Sequence, residues 1–276
     1  MVEAFNVDQF RKRLATTWVG TDFHYIEQAA STNSLVKAIS SERLVHGAVF
    51  LADVQKNGRG QYERVWEAAP FLNLTFTLLF KPPGSNRLTL LSLSIAAAIS
   101  NTLERYLNKP INLKWPNDIF CDGKKLGGIL TETTFIGSEI DRLLIGVGLN
   151  VNQTVFSKVI DGKTTSMRSQ SDAIFSREEL LAAILRDVEI AYQKWHKFDQ
   201  NHLRDINKKI IGYGEWVNTT IYDELQPGLF KFIGLNDKGE LLMLNEQMDV
   251  NKFSYEQIRI IPRSKKISGN EKELSA

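Results

Sequence analysis

Four short segments carry side chains able to manage charge on a bound anion. Asn57-Gly58-Arg59-Gly60 sets a guanidinium between two glycines. Such glycines let backbone N–H groups come close to a ligand, and Arg59 offers a fork for a carboxylate or phosphate. The same residues also read as a surface loop with an incidental arginine. Lys114-Trp115-Pro116-Asn117-Asp118 places a charged strand end before a rigid proline turn, then an amide and a carboxylate together. That pair can read a nucleotide's polar edge or hold a Mg²⁺ bridging phosphates, or it can simply close an Asx turn. Lys125-Leu126-Gly127-Gly128-Ile129-Leu130 puts one lysine beside a glycine pair in an apolar run. Glycines within a strand mark a bulge or a close ligand approach; the alternative is a solvated lysine on an edge strand. Gly146 to Asn152 (GVGLNVN) is a third glycine-bearing run and reads equally well as a tightly packed central strand.

Other chemistries are excluded or set aside. Gly162-Lys163-Thr164 has the ending of a phosphate-binding P-loop, but Ser157 stands where its first glycine belongs and no strand feeds into it. The segment reads as a plain loop. A single cysteine, Cys121, rules out an intrachain disulfide and a CxxC metal site, and the four histidines are scattered. With 34 basic and 32 acidic side chains the net charge is +2, which gives no general pull toward nucleic acid or an anionic membrane. The opening MVEAFNVDQFRKRL is charged where a signal peptide needs an apolar core. The longest greasy stretch, Leu88 to Ile99, is too short to span a bilayer. A soluble, cytoplasmic protein is the expectation.

The elements that must position these segments follow from periodicity. Val7, Phe10 and Leu14 predict a short amphipathic helix, Phe23 to Gln28 a strand, and Ser31-Thr32-Asn33 a helix start before Leu35, Val36 and Ile39. Gly47 to Val54 reads as a buried strand. Asn73 to Phe80 alternates, with Leu74, Phe76, Leu78 and Phe80 on one face, and Pro82-Pro83-Gly84 ends it. Leu88 to Leu107 reads as a long buried helix. A strand at Ile111 to Trp115, a hairpin from Asp118 to Thr133 turning at Asp122-Gly123, and a strand from Leu143 to Asn152 come next. Ser176 and Glu179 form a capping box opening a helix that runs to about Phe198. Beyond Gly212, short β-like segments at Glu215–Tyr222, Leu229–Leu235, Glu240–Asn245 and Tyr255–Ile261 predict a small β-barrel. The fold class is α+β. The expected division is 1–212 for the larger domain that holds these motifs, which the resemblance described next makes a mixed-sheet catalytic domain, 213–263 for the β domain and 264–276 for a disordered tail.

Each motif alone decides little, but their joint order is specific. From Phe23 to about Ile261 the chain resembles the biotin protein ligases. The matching pieces are STN at Ser31–Asn33, QxxGRG with a following Trp at Gln55–Trp66, KWPND at Lys114–Asp118, KLGGIL at Lys125–Leu130 and GVGLNVN at Gly146–Asn152. The resemblance implies a catalytic domain with a C-terminal SH3-like barrel. It also implies a two-step reaction: biotin and ATP give biotinyl-5′-AMP and pyrophosphate, then an acceptor lysine displaces AMP. Carried over, Ser31, Thr32, Asn33, Gln55, Gly58, Arg59, Gly60, Gln61, Lys125, Gly128, Gly146 and Gly148 would bind biotin. Arg59, Trp66, Lys114, Asn117, Asp118, Lys125 and Asn150 would serve ATP, with Asp118 and Asn150 near Mg²⁺. Lys125, Arg59 and Asp118 would carry the chemistry. The implied acceptor is the biotin carboxyl carrier domain of a carboxylase, and the enzyme would be a monomer or homodimer without DNA or membrane partners.

Two departures qualify the resemblance. Many members read GRGRxGR before the Trp; here Gln61 replaces the second arginine and Glu63 a glycine. An amide in place of that arginine predicts weaker retention of biotinyl-AMP. Only about twenty residues precede the first strand, too few for the DNA-binding helix-turn-helix that some relatives carry, so a ligase without repressor function is expected. The competing readings are a lipoate or other acyl-protein ligase of the same superfamily, a non-catalytic biotin- or nucleotide-sensing module, and a nucleic-acid binder built on the β domain.

Overall fold

The computed structural model describes residues 3–61, 64–82 and 87–261. The expected turn at Pro83-Gly84, the Glu63 departure and the tail lie outside these residues.

Seven strands form one mixed sheet in the order β1-β2-β3-β7-β6-β5-β4. They are β1 Phe23–Ala29, β2 Val49–Gln55, β3 Leu74–Phe80, β4 Ile111–Lys114, β5 Asp118–Cys121, β6 Lys124–Ile136 and β7 Glu139–Leu149. Only β1 and β2 pair in parallel; the other neighbours run antiparallel. One face is covered by α3 (Leu88–Leu107) and α5 (Arg177–His196), with α1 (Val7–Arg13) against α5. Leu74, Phe76, Leu78 and Phe80 of β3 point into that core beside Ile95 and Leu181. The other face of β3 is buried too. Leu79 packs with Val36, Phe50 and Leu144 beneath α2 (Thr32–Ala38). The small polar Thr75 and Thr77 are also buried.

β7 ends at Leu149, not at Asn152. The hairpin β5–β6 turns at Asp122-Gly123, both with positive φ. Cys121 is fully buried at the end of β5. At the start of α5, Ser176 Oγ accepts from the Glu179 N–H at 3.2 Å, but the Glu179 carboxylate pairs with Arg13 at 2.5 Å. Only half of the expected capping box forms. Two helices were not foreseen: α4 (Met167–Ser171) and α6 (Gln200–Lys209).

β8 (Trp216–Ile221), β10 (Phe230–Leu235), β11 (Leu241–Leu244), β12 (Val250–Phe253) and β13 (Ile258–Ile261) make a second, antiparallel sheet ordered β12-β11-β10-β8-β13. The unforeseen β9 (Glu224–Leu225) pairs with β8. Val217, Phe232, Leu241, Met243 and Ile258 fill its curled interior. The chain hooks onto the first sheet just before this unit, where the Ile211 N–H donates to the Leu113 carbonyl at 2.8 Å. No described helix is long and apolar enough to cross a membrane.

Candidate active site

The face of the first sheet opposite α3 is stripped of side chains along β6 and β7. Gly128 pairs with Gly148, and Leu130 with Gly146, on the face shared by Leu144. Missing side chains leave a trough whose backbone a ligand can touch. Other residues already use this room. A Cβ on Gly146 would lie 2.6 Å from Asn33 Oδ1, and one on Gly148 would lie 2.3 Å from the Trp66 indole. The trough forms the floor of a cavity of about 1040 Å³. Its walls come from the start of α2, the 59–66 loop, the β4–β5 turn, the 160–164 loop and the second sheet. Among the described residues, six basic side chains and three acidic ones line it, in a chain close to neutral overall. Such a cavity suits an anion.

Arg59, Asp118 and Lys125 share this cavity. Lys125 Nζ stands 2.7 Å from Asp118 Oδ1, with their side chains 34% and 26% exposed. It also lies 5.8 Å from the Trp66 ring centroid. Asp118 opens β5, and Lys125 sits on the returning β6, so the hairpin brings the two together. Asn117 locks that hairpin: its Nδ2 donates to the Ile129 carbonyl at 2.6 Å, and its own carbonyl accepts from the Ile129 N–H. Lys114 lies 5.6 Å from the Phe120 ring centroid at the rim.

At the other end, Ser31 takes the N-cap position of α2 without a side-chain cap bond. Instead Gln55 Oε1 accepts from the Thr32 N–H at 2.9 Å, which fixes the Gln55 amide. Asn33 is nearly spent on the protein itself. Its Oδ1 accepts from Thr77 Oγ1, and its Nδ2 donates to the Leu130 carbonyl and to Glu132. The 58–66 loop folds back on itself: Gly60 N–H donates to the Arg64 carbonyl at 2.7 Å and Trp66 N–H to the Gly58 carbonyl at 2.9 Å. A Cβ on Gly58 would meet the Trp66 carbonyl at 2.5 Å, so this glycine serves the loop's own closure. Gln61 lines the cavity.

Asn150 differs from the rest. It is 1% exposed and is not among the lining residues; its Nδ2 donates to the Thr165 carbonyl. Its Oδ1 is buried without a partner. Sequence reasoning also missed residues. The 162–164 segment, set aside as a plain loop, forms a wall; Lys125 N–H donates to the Lys163 carbonyl and the Lys125 carbonyl accepts from the Thr165 N–H just after it, both at 2.9 Å. Thr220 and Arg259 of the second sheet, and Asp223 and Glu256 in its turns, carry no local signal. Glu132 gathers Asn33, Lys37 and Arg59. Its place four residues past Gly128, on the trough face, was the available clue. Burial works to raise the Glu132 pKa, yet hydrogen bonds from Lys37 and Asn33 and the nearby positive charges hold it below the ordinary carboxylate range.

Comparison with known proteins places this arrangement. The profile of the Biotin/lipoate A/B protein ligase family matches residues 25–150. A biotin protein ligase from Aquifex aeolicus, solved with biotin and ATP, superposes with a TM-score of 0.76 at 27% identity, covering 87% of this chain and all of that one. This chain is therefore similar to the biotin protein ligases over most of its length. Among the family's members, the bifunctional ligase/repressor BirA of Bacillus spizizenii is 27% identical over 248 residues, 87% of this chain and 74% of that protein. The biotin--[acetyl-CoA-carboxylase] ligase of Mycobacterium tuberculosis is 27% identical over 232 residues, 79% of this chain and 81% of that one. The mixed α+β fold agrees with the family's solved structures, and the curled C-terminal sheet is consistent with an SH3-like unit.

Proposed function

We propose that this chain is an ATP-dependent biotin ligase that forms biotinyl-5′-AMP and passes biotin to a lysine of a biotin carboxyl carrier domain. The supporting observation is that Arg59, Asp118 and Lys125 converge on one cavity with Ser31, Thr32 and Gln55. Biotin would lie along the trough of Gly128, Gly146 and Gly148, with Gln55 and the start of α2 at its head and Gly58, Arg59, Gly60 and Gln61 over it. ATP would occupy the side of Trp66, Lys114, Asn117 and Asp118. Attack of a carboxylate on a polyphosphate brings anions together, and Lys125 and Arg59 would screen that repulsion and the charge gathering on phosphorus oxygens. Asp118 would hold the Lys125 ammonium in place through the 2.7 Å contact. In the second step an amine displaces AMP, forming an amide.

Among the described residues no three His, Cys, Asp or Glu side chains gather as metal ligands. Of the three acidic side chains on the cavity, Asp118 stands beside Lys125, and a lone carboxylate there fits a Mg²⁺ carried mainly by the phosphates rather than an all-protein cage. Asp118 would hold it; Asn150, expected beside it, is 1% exposed and lies outside the cavity lining. When bound, Mg²⁺ neutralises phosphate charge.

The deciding experiment is biotin-dependent exchange of labelled pyrophosphate into ATP, followed by mass measurement of a carrier domain offered biotin and lipoate together. Exchange without biotin, or preferential lipoylation, would overturn the reading. We further propose that Gln61 weakens retention of the adenylate. Gln61→Arg should then lower labelling of a bystander protein, and unchanged labelling would remove the idea. For these 276 residues we propose a cytoplasmic ligase without operator binding. Phe10 of α1 is buried against the core, so that helix is not free to read DNA. Salt-sensitive binding to duplex DNA would contradict this. The division at 212/213 stays part of the same proposal.

A further inference from the structure

Glu132 lines a smaller pocket of about 270 Å³ beside the cavity, which shares Arg59, Gly60, Gln61, Leu130 and Glu256 with it. Its side chain is 17% exposed and takes three donors from two separate parts of the fold, α2 and the glycine loop. Lys37 Nζ at 2.5 Å and Asn33 Nδ2 at 2.8 Å hold it closely from α2. Arg59 holds it loosely: a single nitrogen, Nη2, straddles the two carboxylate oxygens at 3.3 Å each. Charge-assisted bonds of good geometry are shorter, about 2.7–2.9 Å. The Arg59 side chain is 44% exposed, so its contact is the one most easily given up. Were Arg59 to leave, Lys37 and Asn33 would still satisfy the carboxylate. Its acidity, strengthened by these same partners, keeps it a full anion.

We infer that Glu132 is a positioning residue for Arg59: the internal anion that parks the guanidinium beside the trough until the anion of a bound ligand takes its place. This rests on the proposed function, in which a carboxylate and then an acyl phosphate meet Arg59. The consequence has a definite sign. A ligand that must draw Arg59 away from Glu132 is opposed by the worth of the parked contact. Removing the charge at 132 therefore tightens binding of the anion, whereas a merely structural residue would weaken it when altered. Glu132→Gln is the suitable change, because the amide oxygen still accepts from Asn33 and Lys37.

The test has two arms, each run on wild type, Glu132→Gln, Arg59→Met and the double variant. Calorimetry with biotin should show Glu132→Gln binding about two- to fivefold tighter than wild type, the scale of a partly exposed ion pair. In the Arg59→Met background the same substitution should change nothing. Hydrogen exchange on the free protein reads the parked contact without any ligand. The Gly60 and Trp66 amides, both hydrogen-bonded within the loop, should exchange faster in Glu132→Gln and equally faster in Arg59→Met. That second variant keeps the test open if the first fails to fold. Biotin binding that is no tighter in Glu132→Gln, or tightening that persists without Arg59, overturns the inference, as does unchanged exchange in both single variants. If wild type binds no biotin while exchange responds as described, the parked contact stands and the proposed function falls.

Discussion

Two ion pairs in this molecule have similar chemistry and opposite situations. Arg177 and Asp53 meet beneath the first sheet with side chains 6% and 0% exposed. Asp53 also accepts from the Phe5 N–H at 2.9 Å and the Tyr25 hydroxyl at 2.7 Å, while Arg177 donates to the carbonyls of Glu3 and Asn73. Little capacity is left over. Lys125 and Asp118 are about a third and a quarter exposed, and among the described residues neither side chain has another hydrogen bond. A pair whose valences are filled fixes a fold; a pair with valences to spare, on a cavity wall, can admit a substrate.

The largest effect should come from the sealed pair. Asp53→Ala strands a buried guanidinium and is expected to cost roughly 3–5 kcal/mol of stability, read as a lowered denaturation midpoint. The open pair should behave inversely. Lys125→Ala is expected to cost roughly 3 kcal/mol of activation barrier, about a hundredfold in pyrophosphate exchange, with the midpoint nearly unchanged. If Lys125→Ala melted as early as Asp53→Ala, the distinction would collapse.

Gly148→Ala sharpens the contrast at the trough. Its Cβ would land 2.3 Å from the Trp66 indole, and such overpacking costs roughly 1–3 kcal/mol. The expected signs are altered tryptophan fluorescence and a raised KM for ATP. Unchanged fluorescence would mean that Trp66 does not rest on the trough.

The smallest effect is in acid. Burial tends to raise the Glu189 pKa, but the N–H groups of Val19, Thr17 and Trp18 outweigh it and lower it. Glu132 is lowered likewise. A depressed folded-state pKa contributes stability above the unfolded carboxylate value of about 4.3, and loses it as pH falls through the lower folded value. Denaturation midpoints should therefore drop below about pH 4, and less steeply in Glu189→Gln. Identical acid limbs would show that Glu189 is not a contributor.

Much of the first sheet was legible because its signals are local. Leu88–Leu107 is helical over the expected span, and Asp122-Gly123 turns the hairpin as the dipeptide predicts. The missed elements have weak local signals. α6 has only two apolar residues, the partly buried Leu203 and the buried Ile206, and also buries the polar Asn207, though Asp199 caps it in the usual way. β12 is four residues long, has no buried side chain and is defined by its pairing with β11. The site was legible where a motif states it and illegible where topology makes it. Nothing near Gly162 announces that a neighbouring backbone will pair with Lys125, and nothing near Glu256 announces a cavity formed largely by residues from far earlier in the chain.

Cys121 has a practical use. Its thiol is enclosed at the end of β5, and desolvation pushes its pKa up, so the reactive thiolate is scarce. A second cysteine introduced at the cavity rim would thus be the sole fast target for a maleimide dye. The molecule comes ready for site-specific labelling, and a fluorophore at position 61 would report directly on the glycine loop as ligands arrive.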